Sequence, residues 1–548
     1  MTGAIILAVS VVFFVAGYRF WGNRVAGWLG VDYSRPTPAH TRTDGVDYVP
    51  TRPSVLLGHH FSSIAGAAPI IGPIAAASYG WTAVLLWILL GGVFMGAVHD
   101  FSALIVSVRH DGRGLGSVLE ERVGRGMKHL FLLFIFFALI LVIAVFTNAV
   151  AQTFVSVPET ATASLLFILL AVGFGLSVYR FNVPFLPATL LGVTLLAGCM
   201  VFGYFVPLRL SFQVWRVILI VYIFFASTLP VQYLLQPRDF LNSFILYAML
   251  IVLIAGILVA NPELRMQAAP AWQTAKGPLF PLLFVTVACG ALSGFHSLVA
   301  SGTTSKQLDN ERHAQPIGFG GMLIESVLAV AALITAVALT SADYAKSAGN
   351  PIALFSASAA NMTASIGLPV RFGTLFMSLS VAAFAMTSLD TATRLGRYAL
   401  QELFEAPGPS AVRRTLGNRY PATGLTVAIA SLLIFSGSAT EIWPIFGAAN
   451  QLVAALAFLT IAIWLVFIRR PSLFALLPGV FIYWVTMTAL GWNIYDFGRK
   501  EKYTLAAISA FLLSLALVLG VTGIRSIVRA RHGLTERRGL TAHHLKEI

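Results

Sequence analysis

Four groups of residues in this 548-residue chain have types and spacing suited to chemistry, and all four stand in strongly apolar surroundings. His59 and His60 open the stretch GHHFSSIAGAAPIIGP, and His99 and Asp100 lie in GAVHDFSALIVSVRHDG. Ser293, His296 and Ser297 belong to CGALSGFHSLVASG, and Asp390 and Arg394 to SLDTATRLGRY. Histidine titrates nearest to neutral pH, and an ionised carboxylate among apolar residues must find a partner, so these residues suit holding a small anion and moving a proton or cation. Ser293 and Ser297 are four apart, which places both hydroxyls on one helical face beside His296 and suits a cation site. Asp390 and Arg394, spaced i to i+4, suit an ion-pair gate at a helix end. Each has a plainer reading: histidines satisfied by carbonyls, serines bonded to their own backbone, Asp100 tied to an arginine or histidine. Glu325, Asn148 and Gln152 are weaker candidates. No H-E-x-x-H and no serine-nucleophile elbow accompanies them, so the expectation is a protein without catalytic residue, resident cofactor or metal beyond a sodium site.

The surroundings decide the class. Hydrophobic residues make up 57% and charged residues only 11% of the chain, with mean hydropathy +0.83, whereas soluble chains carry about 25% charged residues. The net charge of +14 falls in short gaps between apolar runs, which excludes a nucleic-acid face and points to membrane orientation. Cys199 and Cys289, both in apolar runs, are read as packing residues.

The elements that must position these residues are fifteen apolar segments, near 3–20, 57–79, 82–108, 129–154, 161–179, 185–206, 213–235, 239–260, 278–300, 318–340, 370–393, 420–436, 442–468, 473–491 and 503–524. The first lacks a basic n-region and an A-x-A site, and Tyr18, Arg19 and Trp21 close it as interfacial anchors do, so it is a span rather than a signal peptide. With the N-terminus outside, inward loops hold 27 of the 36 basic residues, which predicts a cytoplasmic C-terminus.

Gly66, Pro69, Gly72 and Pro73 interrupt the second segment, predicting one half-helix to residue 64 and another from Pro69 to Tyr79. A backbone broken at the midplane survives only in protein or beside a wet cavity, although an ordinary proline kink would look alike. Ser227, Thr228 and Pro230 mark the seventh segment, five later and oppositely directed. Two broken helices in inverted halves point to a secondary transporter, here with an accessory region 1–54, repeats 55–206 and 213–400, and accessory helices with a basic tail in 401–548.

The stretches GHHFSSIAGAAPIIGP, GAVHDFSALIVSVRHDG, ACGALSGFHSLVASGTTSKQL, SLDTATRLGRYALQE and IWPIFGAANQLVAALAF resemble, in order, motifs of the carbon starvation protein A family. The resemblance covers roughly residues 55 to 460. It implies an all-α, multi-pass transporter of the bacterial inner membrane, in the amino acid, polyamine and organocation superfamily, with a leucine-transporter-type 5+5 core. It further implies import of pyruvate or, alternatively, short peptides when carbon is scarce, with a coupling proton. A membrane-embedded hydrolase and a nutrient sensor are the minor alternatives.

Combined with the spacing, the expectation is that His59, His60, Ser63, Gly66, Ala67, Ala68, Ser227 and Thr228 bind substrate. Ser62, Ser293, His296, Ser297 and Asp100 couple H+ or Na+, and Asp390 and Arg394 gate. The expected partners are a small-molecule substrate and the lipid bilayer.

Overall fold

A chain in hydrocarbon must satisfy every backbone N–H and C=O within itself, and this one does so almost entirely with α-helices. The computed structural model describes residues 1–45, 47–230, 233–404, 411–436 and 439–544; the side chains of the expected basic tail after Arg525 lie outside the described residues. Among the described residues twelve helices are long and apolar enough to cross a membrane, and one bent pair makes a thirteenth.

In chain order these are α1 (Gly3–Leu29), the pair α2 (Pro53–Ile64) and α3 (Ala68–Tyr79) bent by 44°, α4 (Trp81–Arg109), α5 (Arg125–Ser156), α6 (Pro158–Tyr179) and α7 (Phe185–Phe205). A shorter α8 (Phe212–Thr228) precedes α9 (Leu235–Ala260). Two short pieces follow, α10 (Leu279–Thr286) and α11 (Gly294–Val299), the latter continued by turns through Ser305–Gln307. Then come α12 (Glu311–Val337), a shorter α13 (Pro351–Ala364), α14 (Val370–Leu403), α15 (Arg419–Ser436), α16 (Glu441–Phe467), α17 (Leu473–Arg499) and α18 (Tyr503–Arg525). Prolines 53, 158 and 351 open their helices, where the N–H that proline lacks would be unpaired anyway.

The long helices α5 and α14 lie along each other at the centre, and α8 and α15 each pack against both. The α6–α7 hairpin sits at the periphery, with Leu186 and Leu190 exposed as a lipid-facing surface requires.

One expected interruption takes another form. Within the seventh segment, 213–235, α8 ends at Thr228 and the chain leaves it through Leu229, held extended by the following Pro230, with α9 starting at Leu235. Ser227, Thr228 and Pro230 thus mark the end of one helix before the next rather than a break between two halves of a span. The second interrupted segment is instead 278–300, where α10 ends at Thr286 and α11 begins at Gly294. Gly290 turns the intervening segment at φ +87°, a conformation that a side chain would strain.

Candidate functional site

The two breaks meet. A β-carbon built on Gly290 would stand 3.6 Å from Cβ of Pro69 in the α2–α3 junction. Gly72 lets α3 approach so closely that a β-carbon there would lie 2.7 Å from the carbonyl oxygen of Thr286, the last residue of α10.

At the first break, the amide of Ala65 still donates to Phe61, and that of Gly66 folds back onto the carbonyl of Ile64 at 2.8 Å. Ala67 and Ala68 then form the head of α3, where the helix dipole is positive. Gly66 lies against Ser388 of α14 and Phe146 of α5. Ser62, Ser63 and Ser388 are buried with hydroxyl oxygens that have no hydrogen-bond partner, as are both ring nitrogens of His59. A backbone break lined with unmatched polar groups in the middle of an apolar bundle is the arrangement expected of a polar-solute site.

At the second break, side chains from distant helices satisfy the exposed carbonyls. Trp87 Nε1 of α4 donates to Val287 O at 3.1 Å, Trp443 Nε1 of α16 to Thr286 O at 3.3 Å, and Gln451 Nε2 to Phe284 O at 2.5 Å. Asn450 of α16 caps α11, its Oδ1 accepting from the amide of Phe295 at 2.9 Å.

A chain of buried ionisable groups crosses this junction. His99 Nδ1 lies 2.8 Å from Asp100 Oδ1, and Asp100 Oδ2 lies 2.8 Å from His296 Nδ1. His296 Nε2 lies 3.3 Å from Glu325 Oε2 of α12, and all four side chains are shut off from solvent. Cys289 joins His296 and Glu325, the three donor atoms falling within 4.8 Å of one another. His60 contacts this region through Thr304, at 2.9 Å from its Nδ1.

A second chain runs from His59 to Asp239 at 3.5 Å, and from Asp239 to Arg238 at 3.6 Å. Arg238 then pairs with Asp390 of α14, which also accepts from the Tyr222 hydroxyl at 2.6 Å.

Several expected groupings come apart. Ser293 precedes α11 in extended conformation, so it shares no helical face with Ser297; it bonds to Asn450, and Ser297 donates to Gly294 O. Asp390 and Arg394 do not pair, because Arg238 takes the carboxylate while Arg394 donates to the carbonyls of Ala226 and Leu229. Arg397 likewise caps Ser227 O, so the basic pair closes the carbonyl end of α8. Ser227 faces Thr423 of α15 and Thr228 bonds to Phe224 O, neither turned to the α2–α3 break. Sequence reasoning overlooked Asp239, Ser388 and Asn450. The only local signal for Asp239 was its charge beside Arg238 at the head of an apolar run.

Cavities lead to the first break from the end that carries Lys128 and Lys306. There a cavity of about 1060 Å³ opens between α5, α14 and the continuation of α11. A small cavity of about 40 Å³ shares Lys306, Leu395 and Tyr398 with it and reaches His59 and Ser63. In the vestibule wall Lys128 bridges Glu120 at 2.8 Å and Glu402 at 3.1 Å, and the Lys128 hydrogen bond holds the Glu120 carboxyl below its usual value. At the opposite end Tyr344 donates to Ile74 O at 2.8 Å and α13 packs over α3, closing the bundle there.

The family model described as Carbon starvation protein CstA matches residues 2–371 and 346–489. The Bacillus subtilis peptide transporter CstA is 31% identical over 96% of this chain and 97% of its own length. The Escherichia coli pyruvate/proton symporter BtsT is 31% identical over 90% of this chain and 81% of its length. Among solved structures, the Eremococcus coleocola manganese transporter gives a TM-score of 0.47 at 13% identity, covering 89% of this chain and 99% of that one, a likeness below the level at which folds are called the same.

Proposed function

The chain belongs to the carbon starvation protein CstA family, and from that premise we propose that it is a proton-coupled importer of a small carboxylate such as pyruvate. The observation that carries this reading is the contact between two interrupted helices beside buried, unmatched polar groups that a cavity reaches from one end. Relatives named as peptide transporters, and a vestibule far larger than pyruvate, support short-peptide uptake as the second reading.

The packing supports a 5+5 inverted core, divided differently from the sequence expectation. One half is α2–α3, α4, α5, α8 and α9 (53–260) with the α6–α7 hairpin inserted; the other is α10–α11, α12, α14, α15 and α16 (279–467). Under this division α9 packs on α2 as α16 packs on α11, and α8 and α15 exchange places against α5 and α14. Counting α8 and the α10–α11 pair as crossings gives fifteen spans. In this reading the basic residues make the vestibule end the cytoplasmic one, with the N-terminus outside a bacterial inner membrane and the site facing inward.

In this reading substrate rests near Ala67 and Ala68 with His59, His60, Ser62 and Ser63, and coupling passes through Asp100 and His296. Reconstituted protein should accumulate labelled pyruvate when an inward proton gradient is imposed. Uptake of neither pyruvate nor a dipeptide under that gradient rejects transport, and competition between the two separates the readings.

A further inference from the structure

We propose that Glu325 is the group that takes up and releases the coupling proton, with His296 as the bridge and Asp100 as its fixed counter-charge. The inference deepens the symport reading and rests on it. Two carboxylates face one imidazole from opposite sides: Asp100 Oδ2 at 2.8 Å from Nδ1 and Glu325 Oε2 at 3.3 Å from Nε2. All three are inaccessible to solvent and come from three separate elements, α4, α11 and α12.

The two carboxylates are not equivalent. Asp100 receives donors on both oxygens, from His99 and from His296, so its charge is matched. Glu325 has no such pair of close side-chain donors: its neighbours are His296 Nε2 at 3.3 Å and the backbone amide of Gly290. With both carboxylates ionised and His296 singly positive, the three groups carry one net negative charge in an apolar interior; one further proton cancels it. Glu325 is where an oxygen stands available for that proton. The groups facing Glu325 are His296 of α11, Cys289 and the Gly290 amide of the α10–α11 break and, beyond His296, Asp100 of α4. His60 of α2 lies against Gly321, one turn along α12.

Protonation has a mechanical consequence. With Glu325 ionised, its oxygen accepts from the protonated His296 and that charge-assisted contact draws α11 to α12; with Glu325 protonated, a neutral acid faces the imidazolium and the tie is weaker. Uptake of the proton therefore loosens α11 from α12, and its release tightens them again. Because the α11 break touches Pro69, that tie acts directly on the α2–α3 junction.

The test uses the full chain in proteoliposomes, comparing pyruvate counterflow without any gradient against accumulation driven by an imposed proton gradient. Glu325→Gln should keep counterflow within about twofold of the native protein while gradient-driven accumulation falls about tenfold or more, because the substitution removes only the proton acceptor. Glu325→Asp should retain accumulation with a displaced pH midpoint, which keeps the assignment testable if Glu325→Gln fails to insert. Undiminished accumulation by Glu325→Gln, or an unmoved midpoint in Glu325→Asp, overturns the proposal. So does one tightly bound transition metal per chain that Cys289→Ser removes, since the cluster would then be a metal site. Native protein showing counterflow but no response to a proton gradient overturns the symport reading itself, and this assignment with it.

Discussion

Gly290 and Pro69, 221 residues apart in sequence, stand with a would-be β-carbon of one 3.6 Å from Cβ of the other, so the two interrupted helices touch at their breaks. Gly290→Ala asks a side chain to adopt φ +87° and to occupy space 2.6 Å from the methyl of Ala329. The expected cost is about 1–3 kcal/mol of stability, seen as a lower unfolding temperature in detergent. An unchanged unfolding temperature would show that the α10–α11 turn carries no constraint.

Removing one partner of the buried Arg238–Asp390 pair strands a charge among apolar helices. Arg238→Gln or Asp390→Asn is expected to cost about 3–5 kcal/mol, whereas the double variant should cost less than the sum of the two. Size-exclusion profiles of the four proteins after graded heating measure this, and simple additivity would mean the pair is not coupled.

Ser63 and Ser227 should behave differently. Ser63 is buried without a partner beside the small cavity, and Ser227 faces Thr423. Ser63→Ala is expected to raise the KM for uptake by about tenfold, the worth of one buried hydrogen bond to a charged substrate, with Ser227→Ala within about twofold. Equal effects would place Ser227 back in the substrate site.

Asn450→Ala removes the side chain that caps α11, at an expected cost of about 1 kcal/mol, with slower exchange between inward and outward states. Asn450→Asp, which keeps the acceptor, should restore most of the stability; failure to do so argues against capping.

The vestibule ion pairs supply a pH control. The Glu120 carboxyl is held below its usual value of 4.5 by Lys128, so its contribution is present above that value and is lost only as pH falls through the lowered one. Glu120→Gln should therefore alter uptake by a constant factor between about pH 5.5 and 8. An effect that varies within that window would move part of the pH dependence from the membrane interior to the vestibule.

Legibility in the sequence followed locality. The α2–α3 break could be read because its causes, Gly66 and Pro69, stand at the break itself. The α10–α11 break could not: within 287–293 only Gly290 disrupts an apolar run, and the carbonyls it exposes are met by Trp87, Trp443 and Gln451 from other helices. Ser227, Thr228 and Pro230 carry the composition of an interruption and mark a helix end. Pairing misled in the same way, since the i to i+4 spacing of Asp390 and Arg394 says nothing of Arg238 arriving from α9.

The sequence alone determined the membrane class, the approximate positions of its apolar segments and one broken helix, because hydrocarbon leaves no choice about burying polar backbone or placing charge. Tertiary structure decided which second helix breaks, which carboxylates face His296 and which end is open. Those outcomes depend on hydrogen-bond donors and counter-charges brought together from separate helices, Asp100 and His296 lying 196 positions apart, and no local pattern encodes them.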